Sequence, residues 1–283
     1  MEHRMRFVAG LATDEYGDCD EVPPLVLLHG LTFDRGMWQP VLDELRRIDP
    51  QRRVLVLDLP GHGQSPRWPS YSMRSVAGAV HRAVEEARLV SPVIVGHSIS
   101  AIVANVYAGC YPTSGVVNVD QPLQVAPFAA LVKSLADQLR GPAFPEIWAM
   151  FETSMHVELL PEGAQRLVRA SSRPRRDLVL GYWQEVLDQP VDEILAIADA
   201  GLQALRAARL PYLVVAGREM EPAYSKWLTT VLPESRVTVW PGSGHFPQLA
   251  HPDLFAAVLK AFPPTRIDST GDARNQAAGQ QAR

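Results

Sequence analysis

Short, branched apolar runs alternate along this chain with longer stretches of helical period, and few folds accept that alternation. The runs 25–28, 54–57, 93–95, 116–119, 212–215 and 237–239 are mostly Val, Leu and Ile, and Gly, Pro or Asp residues bound them. Runs of this kind suit strands buried on both faces, which is the situation of a parallel sheet. Between them, 37–47, 72–87, 100–109 and 252–262 repeat apolar residues every three or four positions, as helices lying on a sheet do. The expected fold class is therefore α/β, with a mostly parallel central sheet flanked by helices.

One interval breaks the rhythm. From Pro122 to about Leu205 no strand signal occurs, and 128–139, 145–155, 164–170, 177–187 and 191–207 all read as amphipathic helices. This predicts a helical cap at about 122–205, inserted directly after the run 116–119. The cap segments hold Trp148, Phe151 and Trp183, and these three, with Phe246, are the candidate substrate-binding residues, suited to a small, largely apolar molecule. The expected domain runs from 1 to 264. Beyond it, 265–283 is polar, non-periodic and rich in Gln, Ala and Gly, and a disordered tail is expected.

Composition removes other classes. With 27 basic and 31 acidic residues and a net charge of −4, no electrostatic footprint for nucleic acid or an anionic membrane is present. Cys19 and Cys110 form neither a disulfide framework nor a zinc-ligand spacing. No metal or other cofactor is expected. The first residues lack the apolar core of an export signal and no run approaches a spanning length, so a cytoplasmic protein is expected. The sequence says nothing of the oligomeric state.

Chemistry gathers where the runs end. Gly96-His97-Ser98-Ile99-Ser100 stands directly between the run 93–95 and a helical segment. A serine on so sharp a strand-to-helix turn sits in strained backbone between small neighbours, near amides that can hold an oxyanion. This is the pattern of a nucleophile elbow, although Ser100 occupies the place where glycine is usual. Taken alone, the motif would also suit an ordinary turn with serine capping the helix.

The neighbouring turns give the motif its context. His29-Gly30-Leu31 follows the first long run, Asp58-Leu59-Pro60-Gly61-His62-Gly63-Gln64-Ser65 the next, and Pro241-Gly242-Ser243-Gly244-His245-Phe246-Pro247 closes the series. Together they resemble the α/β-hydrolase family over roughly residues 20 to 263. The resemblance implies an oxyanion hole formed by the backbone N–H groups of Leu31 and Ile99, and a general base at His245, on the loop after the last strand. His29, His62 and His97 take structural roles in this reading, and His3, His81, His156 and His251 lack a comparable setting. Two places compete for the acid that orients the base. Most relatives carry it after strand seven, where Gly217-Arg218-Glu219-Met220-Glu221 offers Glu221 or Glu219 around a methionine. A minority carry it at the end of strand six, where Asp120 closes an apolar run. Asp120 is preferred, because a carboxylate ending a buried strand is costly unless paired.

A serine nucleophile implies acyl transfer through an acyl-enzyme. The expected activity is that of a serine hydrolase, carboxylesterase-like, on a carboxylester, lactone or thioester. The same three residues also serve C–C hydrolases, cofactor-free perhydrolases and hydroxynitrile lyases. Gly-His-Ser-Ile-Ser-Ala further resembles the elbow of slow-turnover hydrolases that act as ligand receptors.

Overall fold

The computed structural model describes residues 6–263; the expected tail at 265–283 and His3 lie outside them. The strands are β1 (Arg6–Val8), β2 (Leu11–Tyr16), β3 (Leu25–Leu28), β4 (Val54–Leu57), β5 (Val93–His97), β6 (Gly115–Val119), β7 (Tyr212–Ala216) and β8 (Ser235–Val239). They form one sheet in the order β1-β2-β4-β3-β5-β6-β7-β8. All pairs from β4 to β8 are parallel, while β1 and β2 add an antiparallel edge.

The six strands expected from apolar runs are all present. Their side chains alternate between two cores, because successive strand residues point to opposite faces. Leu25, Leu27, Val54, Val56, Val93 and Val95 face one way, onto Trp38, Leu42 and Leu45 of the first helical segment and onto Phe255 and Leu259 of the last. Val26, Leu28, Leu55, Leu57 and Ile94 face the other, against Val80, Val84, Val103 and Tyr107. The helices that cover these faces are α1 (Gln39–Ile48), entered through a 3-10 turn at Arg35–Trp38, then α2 (Met73–Glu86) and α3 (Ile99–Cys110). The hydroxyl of Ser72 caps α2 by accepting from the Ser75 N–H at 3.2 Å.

The antiparallel edge was not legible as strands. β2 reads Leu-Ala-Thr-Asp-Glu-Tyr, yet Thr13 and Asp14 are buried. Burial of Asp14 is compensated by Arg35, whose Nε donates to it at 2.8 Å while Nη1 donates to the fully buried Asp58 at 2.5 Å. A long-range ion cluster thus lets polar residues occupy strand positions.

Between β6 and β7 the described chain has helices and no strand: α4 (Ala126–Ser134), α5 (Ala136–Arg140), α6 (Phe144–Ser154), a 3-10 turn at Val157–Leu159, α7 (Glu162–Ser171), α8 (Arg176–Tyr182), α9 (Gln184–Asp188) and α10 (Val191–Ala207). Polar ties hold this insertion to the loops of the sheet. The Tyr182 hydroxyl donates to the Pro60 carbonyl at 2.9 Å, and the Arg173 N–H donates to the Thr32 carbonyl at 2.8 Å. Among the described residues three helices follow β7, namely α11 (Pro222–Val231), α12 (Pro247–Ala250) and α13 (Pro252–Lys260). Among the described residues no helix is long and apolar enough to cross a membrane.

The parallel register sets the stage for the site. Leu28 pairs with Gly96, His97 with Val119, and Val119 with Val215. The turns that follow β3, β5, β6 and β7 therefore emerge at one edge of the sheet, where open α/β sheets carry their ligands.

Candidate active site

Ser98 leaves β5 with φ 56° and ψ −134° before α3 begins. A non-glycine residue in that region costs roughly 1–3 kcal/mol and persists only where the surroundings enforce it. Here the Ser98 N–H donates to the Val119 carbonyl at 2.9 Å, and α3 lies so close that a Cβ on Gly96 would overlap the carbonyl of Ser100. Ser100 itself is fully buried and donates its hydroxyl to the carbonyl of His29. That bond accounts for serine at the position where glycine is usual: the side chain is small enough for the turn and satisfies a buried carbonyl. Ser98 makes no side-chain cap bond to α3, so the hydroxyl is not consumed in capping.

Beside the elbow, the turns after β3 and β4 interlock through two histidines. Nε2 of His29 accepts from the Leu59 N–H at 3.0 Å while its Nδ1–H donates to the Gly30 carbonyl at 2.8 Å. Nε2 of His62 accepts from the Thr32 N–H at 3.1 Å while its Nδ1–H donates to the Pro60 carbonyl at 3.1 Å. Burial holds both rings below the ordinary histidine range, so both are neutral and structural. The N–H of Leu31 takes part in none of the backbone bonds of this turn. Ile99 opens α3, where N–H groups have no intrahelical partner.

Opposite, Nδ1 of His245 and Oδ2 of Asp120 lie 2.7 Å apart, with side chains 16% and 9% exposed. Asp120 is fixed on all sides. Its N–H donates to the Val215 carbonyl and its Oδ1 accepts from the Gly217 N–H, both at 2.9 Å. The Asn118 side chain closes the turn by bracketing the Gln121 backbone at 2.8 and 3.0 Å. Burial opposes the charge on Asp120, but the bonds from His245 and Gly217 outweigh it and hold the carboxyl below its ordinary range. The ionised carboxylate accepts from Nδ1–H and thereby leaves Nε2 of His245 as the ring's basic nitrogen.

The peptide of His245 is held on both sides. Its N–H donates to the carbonyl of Met155, in the insertion, at 2.9 Å, and its carbonyl lies 2.8 Å from Nε2 of His97. The residue preceding Ser98 thus touches the base loop directly. Glu219 and Glu221, the strand-seven candidates, are both exposed, and Met220 between them packs into the apolar cluster. The structure brings Asp120, not these two, to His245.

Trp148, Phe151 and Trp183 meet in the insertion with ring centroids 5.1 to 6.1 Å apart. They belong to the apolar cluster that includes Leu31 and Ile99. Phe246 has a different setting. It is fully buried against Phe33 and His97, with centroids at 5.6 and 5.2 Å, and supports the base loop by packing. A cavity of about 230 Å³ between α5, α8 and α9, lined by Arg140, Gly181 and Asp188 among others, contains none of the candidate site residues. Among the described residues no group of three or more His, Cys, Asp or Glu could hold a metal ion.

The roles of Met155 and His97 toward His245 were not legible, because both contacts join distant segments. The Gly217 N–H had a partial signal in the glycine directly after β7.

Comparison with known proteins agrees with the fold. A family described as "Alpha/beta hydrolase family" matches residues 25–258. A pimeloyl-[acyl-carrier protein] methyl ester esterase of Yersinia enterocolitica is 28% identical over 269 residues, covering 87% of this chain and 93% of that one. Among solved structures, an esterase from Thermogutta terrifontis superimposes with a TM-score of 0.68 at 20% identity, covering 92% of this chain and 97% of that one. An AqdC variant, in complex with the Pseudomonas quinolone signal whose ring it cleaves, superimposes with a TM-score of 0.72 at 18% identity, covering 91% and 97%.

Proposed function

We propose that this chain, which belongs to the α/β-hydrolase family and is a hydrolase, cleaves an ester-like bond through an acyl-enzyme on Ser98. The observation that carries this reading is the 2.7 Å bond between His245 Nδ1 and Asp120 Oδ2, supported by the elbow geometry of Ser98, whose preceding residue His97 bonds the His245 carbonyl. An imidazole bound this way to a buried carboxylate has its tautomer and orientation set for work at Nε2.

In the proposed reaction, Ser98 Oγ attacks the carbonyl carbon as His245 Nε2 takes the hydroxyl proton. Asp120 stabilises the imidazolium that forms. The N–H groups of Leu31 and Ile99 receive the negative charge on the carbonyl oxygen. Collapse of the intermediate breaks the bond to the alcohol or thiol, which leaves with the proton from His245. Water then repeats the sequence on the acyl-enzyme, releases the acid and restores Ser98.

The aromatic and aliphatic character of the insertion supports an apolar acyl group. Similarity to a methyl ester esterase makes methyl esters of medium-chain acids the first class to test, with p-nitrophenyl esters of graded length, lactones and thioesters beside them. Sustained turnover on one of these is expected, as distinct from the near-single turnover of a ligand receptor. Ser98→Ala should lower the rate by ~10⁴ or more with the fold intact by circular dichroism. A rate within about tenfold of the unmodified enzyme would contradict the assignment.

A further inference from the structure

The position before the nucleophile needs only to fill space between β5 and the base loop, and an apolar ring would do so without polar cost. His97 occupies it instead, fully buried between Phe33, Phe246 and His245, with ring centroids 6.4, 5.2 and 4.8 Å away. Its Nε2 lies 2.8 Å from the His245 carbonyl. A carbonyl oxygen only accepts, so Nε2 carries the proton. Nδ1 is then a lone pair, buried and without a hydrogen-bond partner among the described residues. That orphan is a standing cost, so the imidazole is explained by what Nε2 does and not by filling.

The surroundings are shaped to this ring. A Cβ on Gly30, in the turn that leads to Leu31, would come 2.8 Å from His97 Nδ1. Burial first, then the neighbouring His245, push the His97 pKa down to about 3, against the opposing effects of its hydrogen bond to the His245 carbonyl and of Asp120. The ring therefore stays neutral when His245 takes up a proton during turnover, and no second positive charge arises beside it. With the Met155 carbonyl holding the His245 N–H at 2.9 Å, the peptide of the base is bonded on both sides while Asp120 holds its ring.

We propose that His97 is a positioning residue for the general base: its Nε2–H fixes the His245 peptide and so keeps the imidazole aligned between Asp120 and Ser98. This rests on the serine hydrolase reading above. Removing the donor leaves the loop free to drift, and a misplacement near 1 Å costs ~10²-fold in rate.

The test compares His97→Phe, which fills the space without a donor, with His97→Gln, whose side-chain N–H falls near the position of imidazole Nε2. His97→Phe should lower kcat by roughly 10- to 100-fold with KM within about threefold, and His97→Gln should recover most of that loss. Should phenylalanine prevent folding, His97→Leu makes the same deletion with a smaller side chain. Proton NMR adds a readout independent of turnover: the low-field resonance of His245 Nδ1–H against Asp120 should be present in the unmodified enzyme and in His97→Gln, and shifted or broadened in His97→Phe. A folded His97→Phe or His97→Leu with kcat within about threefold and an unchanged resonance overturns the inference, as does a folded His97→Gln no better than the apolar variants. Those results leave the serine hydrolase reading untouched if Ser98→Ala abolishes turnover; turnover that survives Ser98→Ala defeats that reading instead.

Discussion

Asp120 and His245 stand 125 residues apart in the chain, yet Oδ2 of one lies 2.7 Å from Nδ1 of the other. The strand-six position thus supplies the only carboxylate partner of His245 among the described residues, while Glu219 and Glu221 sit in solvent after strand seven. Asp120→Asn should lower kcat by up to roughly 10⁴, because an amide no longer enforces the tautomer in which Nε2 is basic. Glu221→Gln and Glu219→Gln should each stay within about tenfold of the unmodified enzyme, as solvated loop carboxylates do. Steady-state kinetics on the three variants, each checked for folding, decide the matter. A crippled Glu221→Gln beside an active, folded Asp120→Asn would move the acid to strand seven.

Stability should fall on acidification, and the sign follows from the buried imidazoles. His97 is pushed from an ordinary 6.5 down to about 3, and burial lowers His29 and His62 as well. Between about 3 and 6.5 the unfolded chain binds a proton at His97 that the folded chain refuses, and the lowered His29 and His62 act in the same direction, so the native state loses stability as pH falls below the ordinary histidine range. Asp120 extends the trend, since its depressed carboxyl contributes stability above its unfolded value near ~3.9 that is lost as pH drops through the folded value. Urea midpoints at pH 7.5, 6, 5 and 4 should decline steadily, and His97→Phe should show the shallower slope. Midpoints that do not change between pH 7 and 5 would contradict this.

The departure from glycine at Ser100 has its own test. Ser100→Gly removes the donor to the His29 carbonyl, so it should destabilise by about 1 kcal/mol while preserving catalysis. Gly96→Ala places a methyl group on the Ser100 carbonyl and should cost ~3 kcal/mol or prevent folding. Chemical denaturation measures both. A Ser100→Gly variant more stable than the parent would show that the hydroxyl is not the reason for serine there.

No step in the proposed reaction uses a metal. Turnover should survive dialysis against EDTA without loss, and a loss restored by zinc or manganese would mean that another chemistry operates.

Much of this architecture was legible because its determinants are local. Parallel strands buried on both faces announce themselves as runs such as Val54-Leu55-Val56-Leu57, and the elbow is defined by five consecutive residues from Gly96 to Ser100. What was not legible depends on partners far along the chain. β2 hides behind Asp14, whose burial makes sense only with Arg35 beside it. Helix α11 begins at Pro222, in a segment read only for its carboxylates. The preference for Asp120 over Glu221 comes from the cost of an unpaired carboxylate at the end of a buried strand, while its partner stands 125 residues away. His97 takes only a structural role in the sequence reading, since nothing near it in sequence foretells a bond to a carbonyl 148 residues away.

The central claim is that Ser98 is the nucleophile, and covalent trapping tests it most directly. The enzyme is incubated with a serine-directed fluorophosphonate, digested, and mapped by mass spectrometry. The expected result is one adduct on Ser98, with parallel loss of ester turnover and no labelling of Ser98→Ala or, at a comparable rate, of His245→Ala. An adduct on a different residue, or full ester turnover with Ser98 quantitatively modified, would contradict the account.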